Sequence, residues 1–193
     1  DMVNIKEEEE AAKQRKEQMQ KQVDALNRVK QSIETLKKDF YNLLKTTDNQ
    51  ARGYALEKLL NELFVLYDMD SKSSFKIKGE QIDGAFTFNN EEYLLEAKWR
   101  NDPTSIGDLD SFLGKLQRRL ENTLGLFFSI NGFSPDAITA FSSGRKLMLL
   151  MDGSDIIAIL EERISLPNLL KRKKRAAAQT GNIYLNFKEI INH

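Results

Sequence analysis

The stretch from Gln81 to Trp99 constrains the fold of this chain more than any other, because it has the pattern of two strands joined by a tight turn. Apolar and polar residues alternate on both sides of Asn89-Asn90, which is typical of a half-buried antiparallel pair. Asparagine tolerates the positive φ that a two-residue type I′ turn requires. We therefore predict strands 81–88 and 91–99, with an apolar face formed by Ile82, Phe86, Phe88, Tyr93, Leu95, Ala97 and Trp99.

The other face of this hairpin carries charged residues. A two-residue turn places Asp83 opposite Glu96 and Gln81 opposite Lys98. Facing side chains have their Cβ atoms about 4.5–5.5 Å apart, and like charges at that distance are destabilising. Two opposed carboxylates favour a cation between them, so this face is a candidate metal site with a neighbouring lysine. The alternative is an ordinary solvated hairpin face, because Asp, Glu and Lys are common surface residues.

The composition removes several kinds of chemistry. The chain has no cysteine and one histidine, the terminal His193. Disulfides, thiol nucleophiles and Cys-based zinc sites are therefore excluded, and a Ser-His-Asp triad or a histidine-ligated metal is disfavoured. A hydrolytic reaction would have to use carboxylates, lysine and an oxygen-binding cation such as Mg²⁺. The sequence shows no glycine-rich phosphate loop, no secretory signal and no apolar run of membrane-spanning length, so we expect a cytoplasmic protein.

A long helix is predicted over residues 4–45, which contain no glycine or proline. Its apolar residues follow a heptad pattern at Leu26, Val29, Ile33, Leu36, Phe40 and Leu43. Such a seam predicts a coiled coil, with a homodimer or higher oligomer formed through residues 26–43. The alternative is a single amphipathic helix docked on its own domain. We accordingly divide the chain into a helical coiled-coil segment, 1–47, and a second domain, 48–193.

The remaining segments predict an α/β domain. We expect helices at 50–69, 106–121, 135–143, 154–163 and 167–179, and strands at 75–78, 124–130, 146–151 and 183–187 in addition to the hairpin. This order describes a mixed central sheet with helices on both faces and the hairpin in the middle of the sheet.

Two groups of motifs in this arrangement resemble a known family. The αβββαβ order with Asp83 and Glu96-Ala97-Lys98 resembles the restriction-endonuclease-like fold of the PD-(D/E)xK nuclease superfamily, and more closely the Mrr-type restriction endonuclease domain. Residues 125–141 resemble that family's strand, its Thr/Ser-x-Gly-Phe-Ser turn and the helix after it. Residues 149–153 resemble its next strand, which ends in Asp-Gly. The similarity covers roughly residues 50–165.

The resemblance implies roles for individual residues. Asp83 and Glu96 match the metal ligands, with the backbone carbonyl of Ala97 as a further donor to Mg²⁺ or Mn²⁺, and Lys98 matches the catalytic lysine. Glu57 matches an acidic residue of the first core helix, although a surface acid is the alternative. Gln81 matches a polar residue two positions before the aspartate, or is simply the cross-strand partner of Lys98. Many Mrr-type domains have Gln where this chain has Glu96, and here the glutamate restores the commoner superfamily pattern.

The resemblance also implies a substrate and a biological context. We expect a Mg²⁺-dependent deoxyribonuclease that hydrolyses DNA phosphodiester bonds in restriction or anti-phage defence. An inactive nuclease-fold scaffold assembled through the coiled coil, or a junction-resolving or repair nuclease, are the alternatives. Basic residues on two predicted helices are expected to contact DNA phosphates, unless they only form solvated helix faces. These residues are Lys115, Arg118, Arg119, Lys171, Arg172, Lys173, Lys174 and Arg175.

Overall fold

The computed structural model describes residues 2–143, 145 and 147–192, with side chains from Glu10 onward. The start of the predicted strand at Lys146 and the terminal His193 lie outside the described residues. The helices are α1 (Met2–Leu43), α2 (Asn49–Leu66), α3 (Ile106–Gln117), α4 (Pro135–Phe141), α5 (Gly153–Leu160), α6 (Leu166–Thr180) and α7 (Phe187–Ile191). The strands are β1 (Lys72–Ile77), β2 (Glu80–Phe88), β3 (Glu91–Lys98), β4 (Leu124–Ser129) and β5 (Met148–Asp152).

The five strands form one mixed sheet in the order β1-β2-β3-β4-β5. The pairs β1–β2 and β2–β3 are antiparallel, whereas β3–β4 and β4–β5 are parallel, so β3 is the central strand. The predicted mixed α/β fold with a central hairpin is therefore confirmed. The turn is also as predicted, because Asn89 and Asn90 have φ of 51° and 61° and Phe88 faces Glu91 across it. A type I′ turn requires positive φ at both positions.

Two hydrophobic clusters cover the two faces of the sheet. The first contains residues of α2, α5, α6 and α7 packed on Tyr93 and Leu95 of β3, and the second contains residues of α3 and α4 packed on Leu94. Helix α3 lies close to β4 because Gly125 has no side chain. A Cβ atom at that position would come within 2.6 Å of side-chain atoms of both Phe112 and Leu116. The prediction of helices on both faces is confirmed.

The chain divides into two compact units between Thr35 and Leu36. The second unit thus begins upstream of the predicted domain start at residue 48. Within it, Leu36 and Phe40 are buried in the first cluster, and the Phe40 ring lies 5.9 Å from the Trp99 ring, centroid to centroid. These two seam positions are not available to a second chain, so the prediction of an oligomer through residues 26–43 is wrong for this part of the seam. The heptad pattern here reflects docking of the helix on its own domain.

The predicted strand over residues 183–187 is also wrong. This segment forms no strand, and its last residue, Phe187, begins α7. The Leu150 amide donates a backbone hydrogen bond of 2.9 Å to the Ile183 carbonyl, as a strand neighbour would. Side chains take the neighbouring backbone groups instead: Lys173 donates to the Leu185 carbonyl and Asp155 accepts from the Phe187 amide. These bonds replace the ladder that a sixth strand would need.

A further difference concerns Ile82, which does not share a face with Phe86. Ile82 packs in the second cluster with Leu94, whereas Phe86 packs in the first. The regular alternation of β2 is interrupted at Asp83 and Gly84, where the described β2–β3 ladder ends with Gly84 facing Leu95. This interruption shapes the site described next.

Candidate active site

Asp83 lies at the point where β2 and β3 stop pairing. Its Oδ2 accepts a hydrogen bond of 3.0 Å from the backbone amide of Ala97, so a side chain takes the place of a backbone carbonyl in the ladder. Glu96, the residue before Ala97, is also almost buried. Asp83 is 9% exposed and Glu96 is 6% exposed. Two carboxylates are therefore held close together with little access to bulk water.

Glu96 is clamped between two lysines. The Lys98 Nζ lies 2.9 Å from Oε1 of Glu96, and the Lys115 Nζ lies 2.7 Å from Oε2. Charge-assisted hydrogen bonds of this length are stronger than neutral ones. Lys98 comes from the same strand, whereas Lys115 reaches across from α3. Both oxygens of Glu96 are thus oriented by a lysine, and each oxygen keeps a second lone pair with which it can coordinate a cation.

The pKa values of two carboxyl groups show that the acids share one electrostatic environment. Burial raises the pKa of Asp83, and the Glu96 charge raises it further, against the Ala97 hydrogen bond and the two lysines. Burial raises the pKa of Glu57 to about 7, with additional contributions from Asp83 and Glu96 and an opposing one from Lys98. The structure therefore brings the predicted Glu57, on α2, into the neighbourhood of the hairpin residues.

The donor chemistry of this site fits a hard divalent cation. Carboxylate oxygens of Asp83 and Glu96 and a backbone carbonyl at Ala97 are the ligand types that Mg²⁺ and Mn²⁺ prefer, whereas Zn²⁺ sites favour histidine and cysteine. Within the part of the chain that is described, no group of three or more His, Cys, Asp or Glu side chains is arranged to hold a metal. A cation here would rely on two carboxylates, with backbone and water oxygens completing its shell.

Several of the residues predicted to contact DNA form ion pairs within the protein. Lys115 belongs to the site itself, and Arg118 and Arg119 both contact Glu80 at the start of β2. Lys174 contacts Glu91.

Gln81 is exposed, faces Lys76 of β1, and forms no described contact with the other predicted site residues.

Lys173 requires a correction. Its side chain is 0% exposed, and its Nζ lies 2.7 Å from Oδ2 of Asp155, which is equally buried. The same ammonium donates to the carbonyls of Leu150 and Leu185, at 2.9 Å and 2.6 Å. Lys173 therefore cannot contact a DNA phosphate, because all three of its ammonium donors are used inside the protein.

Two residues near the site have contacts that the sequence does not predict. Lys115 is predicted to contact DNA but binds Glu96, and its position three residues after the buried Phe112 on α3 places it beside the sheet-facing stripe. The sequence predicts no role for Arg52, whose guanidinium lies over the Trp99 ring, 5.0 Å from the centroid. No local pattern predicts that contact, because the two residues belong to different elements.

Comparison with known proteins places the sequence in a family. The sequence matches the Mrr_cat family, described as a restriction endonuclease, over residues 47–160, which is more than half of the chain. This chain belongs to the Mrr-type restriction endonuclease family. The resemblance seen in the sequence is thereby confirmed. A search of curated proteins finds no match.

Three solved structures are similar to this Mrr-type domain. The crystal structure of a protein of unknown function, AF1548, has 18% identity and a TM-score of 0.50, with 66% of this chain and 78% of that chain covered. The modification-dependent restriction endonuclease AspBHI has 12% identity and a TM-score of 0.46, covering 78% of this chain. MspJI in complex with a 27-mer oligonucleotide has 17% identity and a TM-score of 0.44, covering 83%. This chain spans only 40% of AspBHI and 38% of MspJI.

The likeness to AF1548 supports the fold alone.

Over the described residues, no helix combines the length and apolar character that a membrane crossing needs.

Proposed function

We propose that this Mrr-type domain is a divalent-metal-dependent endonuclease that hydrolyses phosphodiester bonds of DNA, in restriction or in defence against foreign DNA. The observation that carries the proposal is the pair of nearly buried carboxylates, Asp83 and Glu96, with Lys98 bound to the second of them. A scaffold would not need to bury two acids beside each other, because their repulsion and desolvation oppose folding.

Each residue of the candidate site has its own role in the proposed reaction. Asp83, Glu96 and the Ala97 carbonyl would hold Mg²⁺ or Mn²⁺, which would supply polarisation of the phosphoryl group and a lowered pKa of bound water. Lys98 orients the attacking water and stabilises the negative charge that grows on the phosphoryl oxygens. Lys115 holds the Glu96 carboxylate from the α3 side, and Glu57 borders the site as a third acid.

The direct test is a cleavage assay with Mg²⁺ or Mn²⁺ on plasmid, linear and branched DNA. Cutting of plasmid and linear DNA supports the proposal, whereas cutting confined to branched DNA supports a junction-resolving enzyme. Absence of cleavage on all three substrates supports an inactive scaffold.

Metal binding is expected to stabilise the folded protein, because the paired carboxylates exist only in the folded state. A ligand at 100 times its Kd adds about 2.7 kcal/mol of stability. We expect the melting temperature to rise with Mn²⁺ concentration in the wild type, and to stay nearly constant in Asp83→Asn. Glu92→Gln, which removes an exposed acid from the neighbouring strand β3, is the matched control and retains the wild-type response. An equal rise in Asp83→Asn contradicts the assignment of Asp83 as a ligand.

We further propose that the protein self-associates through the upstream part of α1. In the first compact unit Met19, Val23 and Leu26 are exposed, at a spacing that places them on one side of the helix. Wild type is expected to be oligomeric by light scattering, and Met19→Asp with Leu26→Asp is expected to be monomeric. Gln14→Asp with Gln31→Asp, at exposed positions of the same helix, adds the same negative charge and is the control. A monomeric wild type contradicts this part of the proposal.

A further inference from the structure

A cavity of about 830 Å³ lies between α6, α7 and the segment that connects α5 to α6. We call it the basic groove. Four cationic residues line it: Arg163, Lys171, Arg172 and Arg175. Its lining also includes apolar residues such as Leu185 and Phe187, and none of the described residues that line it is acidic.

The three α6 cations of the basic groove are not used in ion pairs of the described fold. Lys171, Arg172 and Arg175 are exposed and form no ion pair within the described residues. Their neighbours on α6 behave differently, because Lys173 is buried against Asp155 and Lys174 contacts Glu91. The helix therefore separates its basic residues into two that bind protein acids and three that face the groove.

The walls of the groove are fixed by the buried ion pair. Lys173 holds α6 to Asp155, and Oδ1 of Asp155 accepts a hydrogen bond of 2.8 Å from the Phe187 amide. The Arg163 guanidinium lies over the Phe187 ring, 5.1 Å from its centroid. A cation–π contact of this kind restricts the guanidinium without neutralising it. The positive charges are thus held on a rigid frame.

Like charges gathered round a cavity repel one another, and a bound polyanion removes that cost. The spacing suits a nucleic-acid strand. Lys171 and Arg175 are four residues apart on α6, which is about 6 Å along the helix axis. Each strand of double-stranded DNA presents one phosphate per about 3.4 Å of the duplex axis. The three α6 cations can therefore meet about two consecutive phosphates, with Arg163 available to a neighbouring one.

We propose that the basic groove is a second, non-catalytic binding surface for the phosphate backbone of the DNA substrate. This inference rests on the proposed nuclease function and adds to it a place where the DNA is held apart from the carboxylates of the active site. Contacts of this type bind without reading sequence, because they reach phosphates and not base edges. The groove therefore contributes affinity that depends strongly on salt and little on sequence.

The test measures binding of labelled duplex DNA by fluorescence anisotropy over a range of salt concentrations, without added metal so that no cleavage occurs. The groove variant carries Lys171→Gln, Arg172→Gln and Arg175→Gln. Each lost phosphate contact lowers the slope of log K against log salt by about one. We expect the slope to fall by about two, one for each of the two phosphates that the α6 cations meet, and the affinity to drop at least about ten-fold at moderate salt. The same loss is expected for duplexes of unrelated sequence.

The control variant removes the same charge elsewhere, through Lys30→Gln, Lys38→Gln and Lys45→Gln at exposed positions of α1 and the turn after it. It is expected to keep the wild-type slope. In a parallel cleavage assay with metal, the groove variant is expected to have a raised KM and an unchanged kcat, because no active-site residue is altered. A melting temperature equal to that of the wild type shows that the groove variant is folded.

Two outcomes overturn the inference. A wild-type protein that binds and cuts DNA, together with a groove variant of unchanged slope, shows that the groove does not contact DNA while the nuclease function stands. A groove variant that loses binding of inorganic phosphate but keeps the DNA slope shows a small-anion site instead. A wild-type protein that neither binds nor cuts DNA is a different result, because it refutes the proposed function itself and with it the premise of the groove.

Discussion

Replacing Lys98 with methionine is expected to reduce the rate of DNA cleavage about a thousand-fold, equivalent to about 4 kcal/mol of transition-state stabilisation. Lys98 provides the ammonium that lies 2.9 Å from Oε1 of Glu96, at the end of β3. Methionine retains most of the aliphatic length and removes only the charge. The measurement is the single-turnover cleavage rate at saturating DNA and Mg²⁺ or Mn²⁺, which reports the chemical step and not binding.

The fold is expected to survive this change. Glu96 keeps its second ion pair, with Lys115 at 2.7 Å, so no buried carboxylate is left without a cation. Lys58→Met is the matched control, because Lys58 is an exposed lysine whose ion pair with Glu62 lies on the surface of α2. It is expected to cleave at the wild-type rate. A Lys98→Met variant that retains more than about a tenth of the wild-type rate, or one that loses its activity by unfolding, contradicts the catalytic role of Lys98.

Replacing Lys173 with methionine is expected to cost about 3–5 kcal/mol of folding free energy, the range for breaking a buried ion pair from one side. The change leaves the buried Asp155 carboxylate without its cation and the carbonyls of Leu150 and Leu185 without a donor. The free energy of unfolding is measured by urea denaturation. The neighbouring variant Lys174→Met is the control, because a partly exposed pair such as Lys174–Glu91 contributes only about 0–1 kcal/mol.

The cost of Lys173→Met is expected to depend on pH in a defined direction. Burial already raises the pKa of Asp155 in the native protein, against the attraction of Lys173, and removal of that lysine raises it further. The folded variant then binds a proton that the unfolded chain, with an aspartate pKa near about 3.9, releases. The stability lost through Lys173→Met is therefore smallest at acidic pH and grows as the pH rises through the folded-state pKa of Asp155. A loss as small as that of Lys174→Met, or one that does not grow between acidic and neutral pH, contradicts this account of the pair.

Much of the fold follows from patterns that act over short distances in the sequence. The hairpin was predictable because alternation fixes the faces of a strand and Asn89-Asn90 fixes the turn, and these two constraints set the register. That register brought Asp83 close to Glu96 and Lys98, and the motifs at 125–141 and 149–153 identified the family. Helix α3 was likewise predictable from the spacing of its buried residues.

Local patterns do not determine which partner a side chain meets. The heptad seam predicted the buried stripe of α1, but only the packing on Trp99 showed that Phe40 docks within its own domain. Glu96 and Lys115 are neighbours only because Gly125 lets α3 pack closely on the sheet.

The basic cluster of α6 is the clearest case. The five consecutive residues 171–175 each carry one positive charge, so their charges alone do not distinguish them. The fold nevertheless buries Lys173 and leaves Lys171, Arg172 and Arg175 in the groove. The sequence by itself determined the hairpin, the family and the residues of the catalytic pattern, because these depend on strand periodicity, turn chemistry and spacing. The tertiary structure decided which charges are buried, paired or free, because burial and pairing depend on residues that are distant in the chain and are brought together only by folding.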